Sequence, residues 1–232
     1  NTTWTGTNQN GVDGYLITSK VKGYEGNSIF LPKAGWFSSN KNNVLSDYSG
    51  TTNAEAYYWT STKYTSKNDA YSLNGKEGIS NHYRECGQPI RPVMERPLKP
   101  CPAGALSGAF SVSATKKVYF SQGNLVATVD ASGNPTAWKF ATNQSDCLGA
   151  GGANLAIGTA AGDVDMFGWS TPSTKYGISV SETASDYSGD FKDWGTAIDD
   201  NGTWRTLSKN EWEYLFARNV NGGAYEHYSY TV

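Results

Sequence analysis

Side chains that commonly perform chemistry are sparse in this sequence, and their spacing matches no metal-binding motif. The chain has 3 cysteines (Cys86, Cys101 and Cys147) and 2 histidines (His82 and His227). A structural zinc site needs Cys or His ligands at short, characteristic spacings, and the sequence has no CxxC, HExxH or Cys/His cluster. We therefore predict that the chain binds no metal and carries no cofactor.

Carboxylate pairs and activated hydroxyls are the other groups that could catalyse a reaction. Asp163 and Asp165 are separated by one residue, and Asp199 and Asp200 are adjacent. Such pairs occur more often in turns than as a general acid and base, and no nucleophile elbow surrounds a serine. We therefore predict that the chain is not an enzyme.

The composition favours recognition outside the cell over binding to nucleic acid or insertion into a membrane. The formal net charge is −2, so no basic field would attract a polyanion, and no apolar run is long enough for a transmembrane helix. The chain is rich in Asn, Ser and Gly, and it has 15 Tyr and 8 Trp. Such surfaces suit extracellular recognition, because tyrosine offers a large contact area with few rotatable bonds.

The clearest predicted element is a helix within residues 204–218. Ser208 precedes Glu211 by three residues, which is the spacing of a capping box at a helix N-terminus. An apolar face follows at positions i, i+3 and i+4, formed by Trp212, Leu215 and Phe216. This face requires a partner, and the nearest candidates are strands.

Most other predicted elements are short strands rich in aromatic and β-branched residues. They cover residues 15–17, 28–32, 56–62, 70–73, 88–93, 117–121, 124–129 and 137–140. Prolines at 89 and 92 place the segment 88–93 at a sheet edge, because proline cannot donate to a strand ladder. The polar stretch 37–55 lacks periodicity and is predicted to be an ordered surface loop. This pattern indicates an α+β protein with mostly short antiparallel strands, long ordered loops and one or two helices.

Several motifs in the two halves of the chain are specific. The back half contains VYFSQGNL (118–125), WKF (138–140), DMFGW (165–169) and WRTLSKNEWEYLF (204–216). The front half contains NGVDG (10–14), IFLP (29–32), AG (34–35), YYWTST (57–62), AY (70–71) and GQPIRPV (87–93). Together they resemble a domain of surface and secreted proteins from gut Bacteroidetes. That domain has a C-type lectin-like fold of the formylglycine-generating-enzyme type.

The halves stand in the opposite order to the family, in which the half that ends in the helix motif comes first. We therefore interpret residues 1–94 as the C-terminal half of a lectin-like domain and 104–232 as its N-terminal half. The Pro-rich stretch ERPLKPCPA at 95–103 is the predicted linker. Together the halves make about one domain. It is either a circular permutant, one repeat cut out of phase from a tandem array, or a product of half exchange between two chains.

The resemblance also bears on chemistry. The formylglycine-generating relatives oxidise with paired cysteines, whereas Cys86 is the nearest candidate here and has no partner at that spacing. Calcium-dependent lectins use Glu-Pro-Asn or Gln-Pro-Asp together with Trp-Asn-Asp. Gln88-Pro-Ile lacks the third ligand, and no Trp-Asn-Asp occurs. The resemblance therefore does not support calcium-dependent sugar binding, and an oxidase relative remains only as a third alternative.

The resemblance implies that residues 36–85 form the solvent-facing ligand surface. The predicted ligand-binding residues are Trp36, Tyr48, Tyr57, Trp59, Tyr64, Asn68, Tyr71, Asn81, His82 and Tyr83. Alternation in the strand 57–62 puts Tyr57 and Trp59 on one face and Tyr58 and Thr60 on the other, so we expect one pair in the core and one exposed. The composition of this region is similar to that of retroelement-diversified lectin-like proteins such as phage tropism determinants.

These observations predict a secreted or cell-surface domain, or a component of a phage particle, that functions in adhesion. Its expected partner is a protein or glycan on another cell. The alternative is a structural repeat of a bacterial or phage surface filament or stalk, which would self-associate. Neither hypothesis requires nucleic acid or membrane insertion.

Overall fold

The protein is represented by a computed structural model. The structure describes residues 2–39, 45–47, 55–65, 68–95, 101–148, 161–169, 191–199 and 202–216, with the backbone alone at 37–39 and 45–47. We call the residues up to 95 the front segment and those from 101 the back segment.

Short strands dominate both segments. The front segment contains β1 (Thr2–Gln9), β2 (Val12–Ser19), β3 (Ser28–Pro32), β4 (Phe37–Ser39), β5 (Leu45–Asp47), β6 (Tyr57–Lys63), β7 (Asp69–Asn74), β8 (Gly78–Tyr83) and β9 (Val93–Glu95). The back segment contains β10 (Ala105–Ser111), β11 (Lys117–Ser121), β12 (Leu125–Val129), β13 (Pro135–Phe140), β14 (Gly162–Val164), a 3₁₀ turn (Trp194–Ala197), β15 (Trp204–Arg205) and α1 (Lys209–Phe216). Within the described residues, no helix is long and apolar enough to cross a membrane.

The strands form small antiparallel sheets, and one of these sheets joins the two segments. The front segment forms β1-β2-β3, β4-β5 and β6-β7-β8, and the back segment forms β13-β12-β14. The joint sheet has the order β10-β11-β9-β15, so a front strand lies between two back strands. Val93 of β9 is opposite Phe120 on one side and Arg205 on the other.

The predicted edge strand at 88–93 is wrong in both its limits and its place. The strand begins at Val93, and it lies inside the sheet rather than at its edge. Pro89 and Pro92 precede the strand, so neither removes a donor from its ladder. Glu95, which was predicted to begin the linker, instead ends β9, and residues 96–100 lie outside the described part.

Two main hydrophobic cores draw on both segments, and β6 runs between them. The first core contains Ala34, Trp59, Ala70, Cys86 and Ile90 from the front and Leu125, Ala127, Val129, Val164, Met166, Phe167, Trp169 and Trp194 from the back. The second contains Trp4, Tyr15, Ile17, Ile29, Leu31, Ala56, Tyr58, Leu73 and Val93 from the front and Phe110, Val112, Val118, Phe120, Leu207, Trp212 and Leu215 from the back. The expectation that β6 exposes one face is therefore wrong, because each face meets a core.

Arg91 connects the segments at a buried point between strands. Its guanidinium is fully buried, which lowers its pKa to about 10, so the group remains charged at neutral pH. Its N–H groups donate to the Ser121, Gln122 and Phe30 carbonyls and to the Asn124 and Gln144 side-chain oxygens, at 3.0–3.4 Å. Four of these five acceptors belong to the back segment, so Arg91 holds the two segments together.

The helix signal is confirmed, including its capping box. The Ser208 N–H donates to the Glu211 carboxylate at 2.9 Å, and the Glu211 N–H donates to Ser208 Oγ at 3.3 Å. Trp212 and Leu215 are buried in the second core, and Phe216 packs against it. Arg205 makes a bidentate ion pair with Glu211 at 2.7 and 2.8 Å. Burial alone would raise the pKa of Glu211, but the hydrogen bonds from Arg205 and Ser208 lower it to about 2.

The other strand predictions vary in accuracy. Strands 28–32 and 117–121 are confirmed with the same limits, and the predicted strands at 15–17, 56–62, 70–73, 124–129 and 137–140 overlap β2, β6, β7, β12 and β13. Strands β1 and β10 were not predicted, because glycine and small polar residues interrupt their apolar patterns. The predicted loop at 37–55 instead contains the paired strands β4 and β5, and its remaining residues up to 54 lie outside the described part.

Candidate functional site

The sheet β6-β7-β8 separates the predicted ligand residues onto two faces. Tyr71 is opposite Asn81, and Asp69 is opposite Tyr83. Directly opposed residues of antiparallel strands project from the same face. Tyr71, Asn81 and Tyr83 therefore share one face, and the ring of Tyr64 meets that of Tyr71 edge-on at 5.0 Å between centroids.

We call this surface the tyrosine face and define it by Tyr64, Tyr71, Asn81, Tyr83 and Lys209. Helix α1 lies along this face, with Phe216 close to Gly78 and Lys209, the first residue of the helix, over the Tyr71 ring. Asn81 is exposed, and Tyr83 is 43% exposed. Asn68 is also exposed, in the connection that leads into β7.

Lys209 contributes a positive charge to the tyrosine face. Its Nζ lies 4.8 Å from the centroid of the Tyr71 ring and 3.2 Å from a carboxylate oxygen of Glu213. The backbone N–H of Lys209 donates to the hydroxyl of Thr62 at 3.0 Å, which fixes the start of the helix against β6. The sequence placed Lys209 off the apolar face of the helix but gave no sign that it would reach Tyr71, because the contact spans more than a hundred residues.

Three of the predicted residues form a separate cluster on the opposite face. The His82 ring packs against Trp36 at 5.5 Å and against Tyr57 at 5.1 Å between centroids. Burial lowers the pKa of His82 to about 4, so the ring is neutral at pH 7. Its Nδ1 makes a 2.8 Å hydrogen bond with the Ser72 hydroxyl. Because Ser72 is fully buried, this pair is not an accessible nucleophile and base.

Trp59 does not lie on a ligand surface. Its side chain is 2% exposed, and its indole Nε1–H donates to the Phe167 carbonyl at 2.7 Å. It therefore belongs to the first core, and the prediction that it contacts a ligand is wrong. Tyr48 lies outside the described residues.

The cysteines are all free thiols. Cys86 is buried in the first core, and Cys101 is exposed. Burial and the nearby carboxylates of Asp165 and Asp146 raise the pKa of Cys147 to about 11, so this thiol stays protonated at neutral pH.

The described carboxylates of the two aspartate pairs each accept a hydrogen bond from another group of the protein. Asp199 accepts a hydrogen bond from the Thr203 N–H at 2.9 Å, as expected in a turn, and Asp200 lies outside the described residues. Asp163 accepts from Lys139 and Thr128, and Asp165 accepts from the Leu148 N–H at 2.7 Å. Among the described side chains, no three His, Cys, Asp or Glu groups converge as metal ligands.

The architecture is mostly antiparallel β-sheet with one helix in the described part, which is consistent with the α+β class. No protein-family model, curated protein or solved structure matches the chain.

Proposed function

We propose that this chain is a non-enzymatic recognition domain of the C-type lectin-like type, and that it binds a protein or glycan through the tyrosine face. The observation that carries the proposal is the grouping of three tyrosines, an asparagine and a lysine on one face of the sheet β6-β7-β8, where Asn81 and Tyr83 are exposed. We place the domain outside the cell or on its surface, with the ligand on another cell.

The arrangement of the tyrosine face supports tight binding at low entropic cost. The edge-on contact between Tyr64 and Tyr71 restricts both rings, and the ammonium of Lys209 stacks on Tyr71. Rings that are already ordered lose little freedom when a ligand covers them. Asn81 adds hydrogen-bonding groups beside the rings, which is the combination of aromatic and amide side chains that recognition surfaces use.

We further propose that the two segments are the halves of one lectin-like domain in reversed order. Strand β9 completes a sheet that otherwise consists of back-segment strands. The Thr2 hydroxyl donates to the Leu215 carbonyl at 2.7 Å, and the Trp4 and Phe216 rings pack at 4.5 Å between centroids. The start of the front segment therefore adjoins the helix that ends the family's first half. This placement suits either a circular permutant or a repeat cut from a tandem array.

The proposed function predicts a clear separation of binding from stability. Replacing Tyr64, Tyr71 and Tyr83 together with Ala should weaken ligand binding by about a hundredfold or more, because anchoring aromatics each contribute roughly 1–2 kcal/mol. The melting temperature should change little, because none of the three belongs to either main core. Binding of the labelled chain is measured on a printed glycan array and on intact epithelial cells.

The matched control is Tyr24→Ala. Tyr24 also carries a lysine on its ring, with Lys117 Nζ 3.9 Å from the centroid, but it lies between β2 and β3. This variant should bind like the parent. Equal binding by the parent and the triple variant would contradict the proposed function.

A further inference from the structure

A second concave surface lies away from the tyrosine face. A cleft of about 460 Å³ separates the tip of the β1–β2 hairpin from the sheet β13-β12-β14 and the loop that follows β13. Its volume lies within the range typical of small-molecule sites. Both segments contribute to it, because Asn10 and Val12 come from the front and the remaining lining residues come from the back.

The charged lining of the cleft is predominantly acidic. The carboxylates of Asp146, Asp163 and Asp165 line it, together with a single ammonium, that of Lys139. Asp165 is 1% exposed and accepts a hydrogen bond from the Leu148 N–H at 2.7 Å. The raised pKa of Cys147 is consistent with a negative potential here, since burial and then Asp165 and Asp146 all disfavour the thiolate. An anionic ligand would be repelled from this cleft.

The uncharged lining is mixed: Asn10, Thr142 and Ser145 are polar, and apolar side chains beside them could hold a short hydrocarbon chain. Val126 is buried, Val12 is half-buried and Leu148 is exposed, whereas the Phe140 ring lies on the other face of the sheet, 4.7 Å from that of Trp204 between centroids. A ligand with both an apolar body and a positive charge would match the two kinds of lining.

One carboxylate of the cleft already forms an ion pair with an ammonium group, that of Lys139. Lys139 Nζ lies 2.6 Å from Asp163 Oδ2, and Asp163 Oδ1 accepts from the Thr128 hydroxyl at 2.6 Å. Burial opposes ionisation of Asp163, but the hydrogen bonds from Lys139 and Thr128 lower its pKa, so the carboxylate is charged. The Lys139 side chain is 53% exposed, so it can leave the pair at little cost.

We propose that this cleft binds a small aliphatic amine, whose ammonium takes the place of Lys139 on Asp163 and whose hydrocarbon lies against Val12 and Val126. The existing Lys139–Asp163 pair shows the geometry that such an ammonium would adopt. The proposal is independent of the tyrosine face, which shares no residue with the cleft.

The test uses 1,5-diaminopentane as the probe, with pentane-1,5-diol and glutarate as uncharged and anionic counterparts of the same length. Amide chemical-shift titrations of the full chain should show saturable binding of the diamine alone.

The Asp163→Asn substitution should weaken diamine binding at least tenfold, because the carboxylate that receives the ammonium is lost. Lys139→Ala should strengthen it severalfold, because the competing internal cation is removed. Asp13→Asn is the control, since this exposed carboxylate of β2 lies outside the cleft.

The Lys139→Ala variant separates a binding role from a merely structural one. If the Lys139–Asp163 pair only supported the fold, both substitutions would weaken diamine binding alike, and this result would overturn the proposal. Equal binding of the diol, or no saturation by the diamine, would overturn it as well. If the Asp163→Asn variant does not fold, the Lys139→Ala variant alone decides between the two roles: stronger diamine binding supports the proposal, and weaker binding overturns it. Failure of the diamine to bind would not bear on the proposed role of the tyrosine face, because the two sites share no residue. The triple tyrosine variant should bind the diamine as the parent does.

Discussion

Replacing Arg91 with Ala should lower the free energy of unfolding by about 4 kcal/mol or more, because buried acceptors that lose their donor each cost roughly 1–3 kcal/mol. The guanidinium donates hydrogen bonds to five acceptors inside the protein. We expect few of these acceptors to gain a hydrogen bond from water once the guanidinium is removed. The loss should be measured by urea unfolding followed by tryptophan fluorescence. The loss should also appear as poor expression if the domain is only marginally stable.

Arg91→Lys is the informative companion substitution. It keeps the positive charge but replaces a planar fork by a single ammonium, which cannot reach carbonyls on several sides at once. We expect an intermediate loss of stability, about half that of the alanine variant. An Arg91→Ala protein that unfolds within about 1 kcal/mol of the parent would show that the segments do not depend on this group.

Trp212→Ala should be similarly damaging, with a loss of roughly 3–5 kcal/mol, because a large buried ring is replaced by a cavity. Trp212 is 1% exposed and packs against Tyr58 of the front segment and Phe120 of the back segment, at 6.3 and 6.0 Å between ring centroids. The substitution therefore removes a contact that the helix makes with both segments. Thermal unfolding followed by circular dichroism measures the effect.

Tyr214→Ala on the same helix provides the control for Trp212. Tyr214 is half-buried and belongs to neither main core, so its loss should cost much less. Equal destabilisation by the two variants would mean that the helix is held by propensity and capping rather than by its apolar face.

Local signals in the sequence predicted local structure well. The capping box of Ser208 and Glu211 defines the start of the helix, and the aromatic and β-branched residues at 28–32 and 117–121 define two strands. Each of these signals depends on neighbouring residues alone. The prediction that β6 exposes one face fails for the opposite reason, because alternation cannot reveal that Tyr58 and Trp59 meet two different cores.

Non-local pairing is what the sequence did not reveal. Strand β9 follows two prolines, which is typical of an edge, yet β11 and β15 pair with it from both sides. Arg91 was part of a recognised motif, but its role as a buried donor depends on carbonyls about thirty residues or more away in the chain.

The candidate site was predicted only in part, because some of its residues come together through contacts between distant parts of the chain. The tyrosines of β7 and β8 were assigned to a ligand surface because the family resemblance implies that residues 36–85 face solvent. Lys209 joins them only after the helix packs on the sheet. The cleft was not predicted, because its lining comes from the β1–β2 hairpin and from residues more than a hundred positions further along the chain.

The most direct test of the account is the thermal unfolding of a rearranged chain, in which residues 101–232 are followed directly by residues 1–95. This is the order that the proposed lectin-like relationship gives to the two segments, and it opens the chain between β9 and β10. If the segments are complementary halves of one body, the rearranged protein should fold and melt within about 4 °C of the parent, equivalent to about 1 kcal/mol. A rearranged chain that does not fold, or that melts far below the parent, would contradict the account.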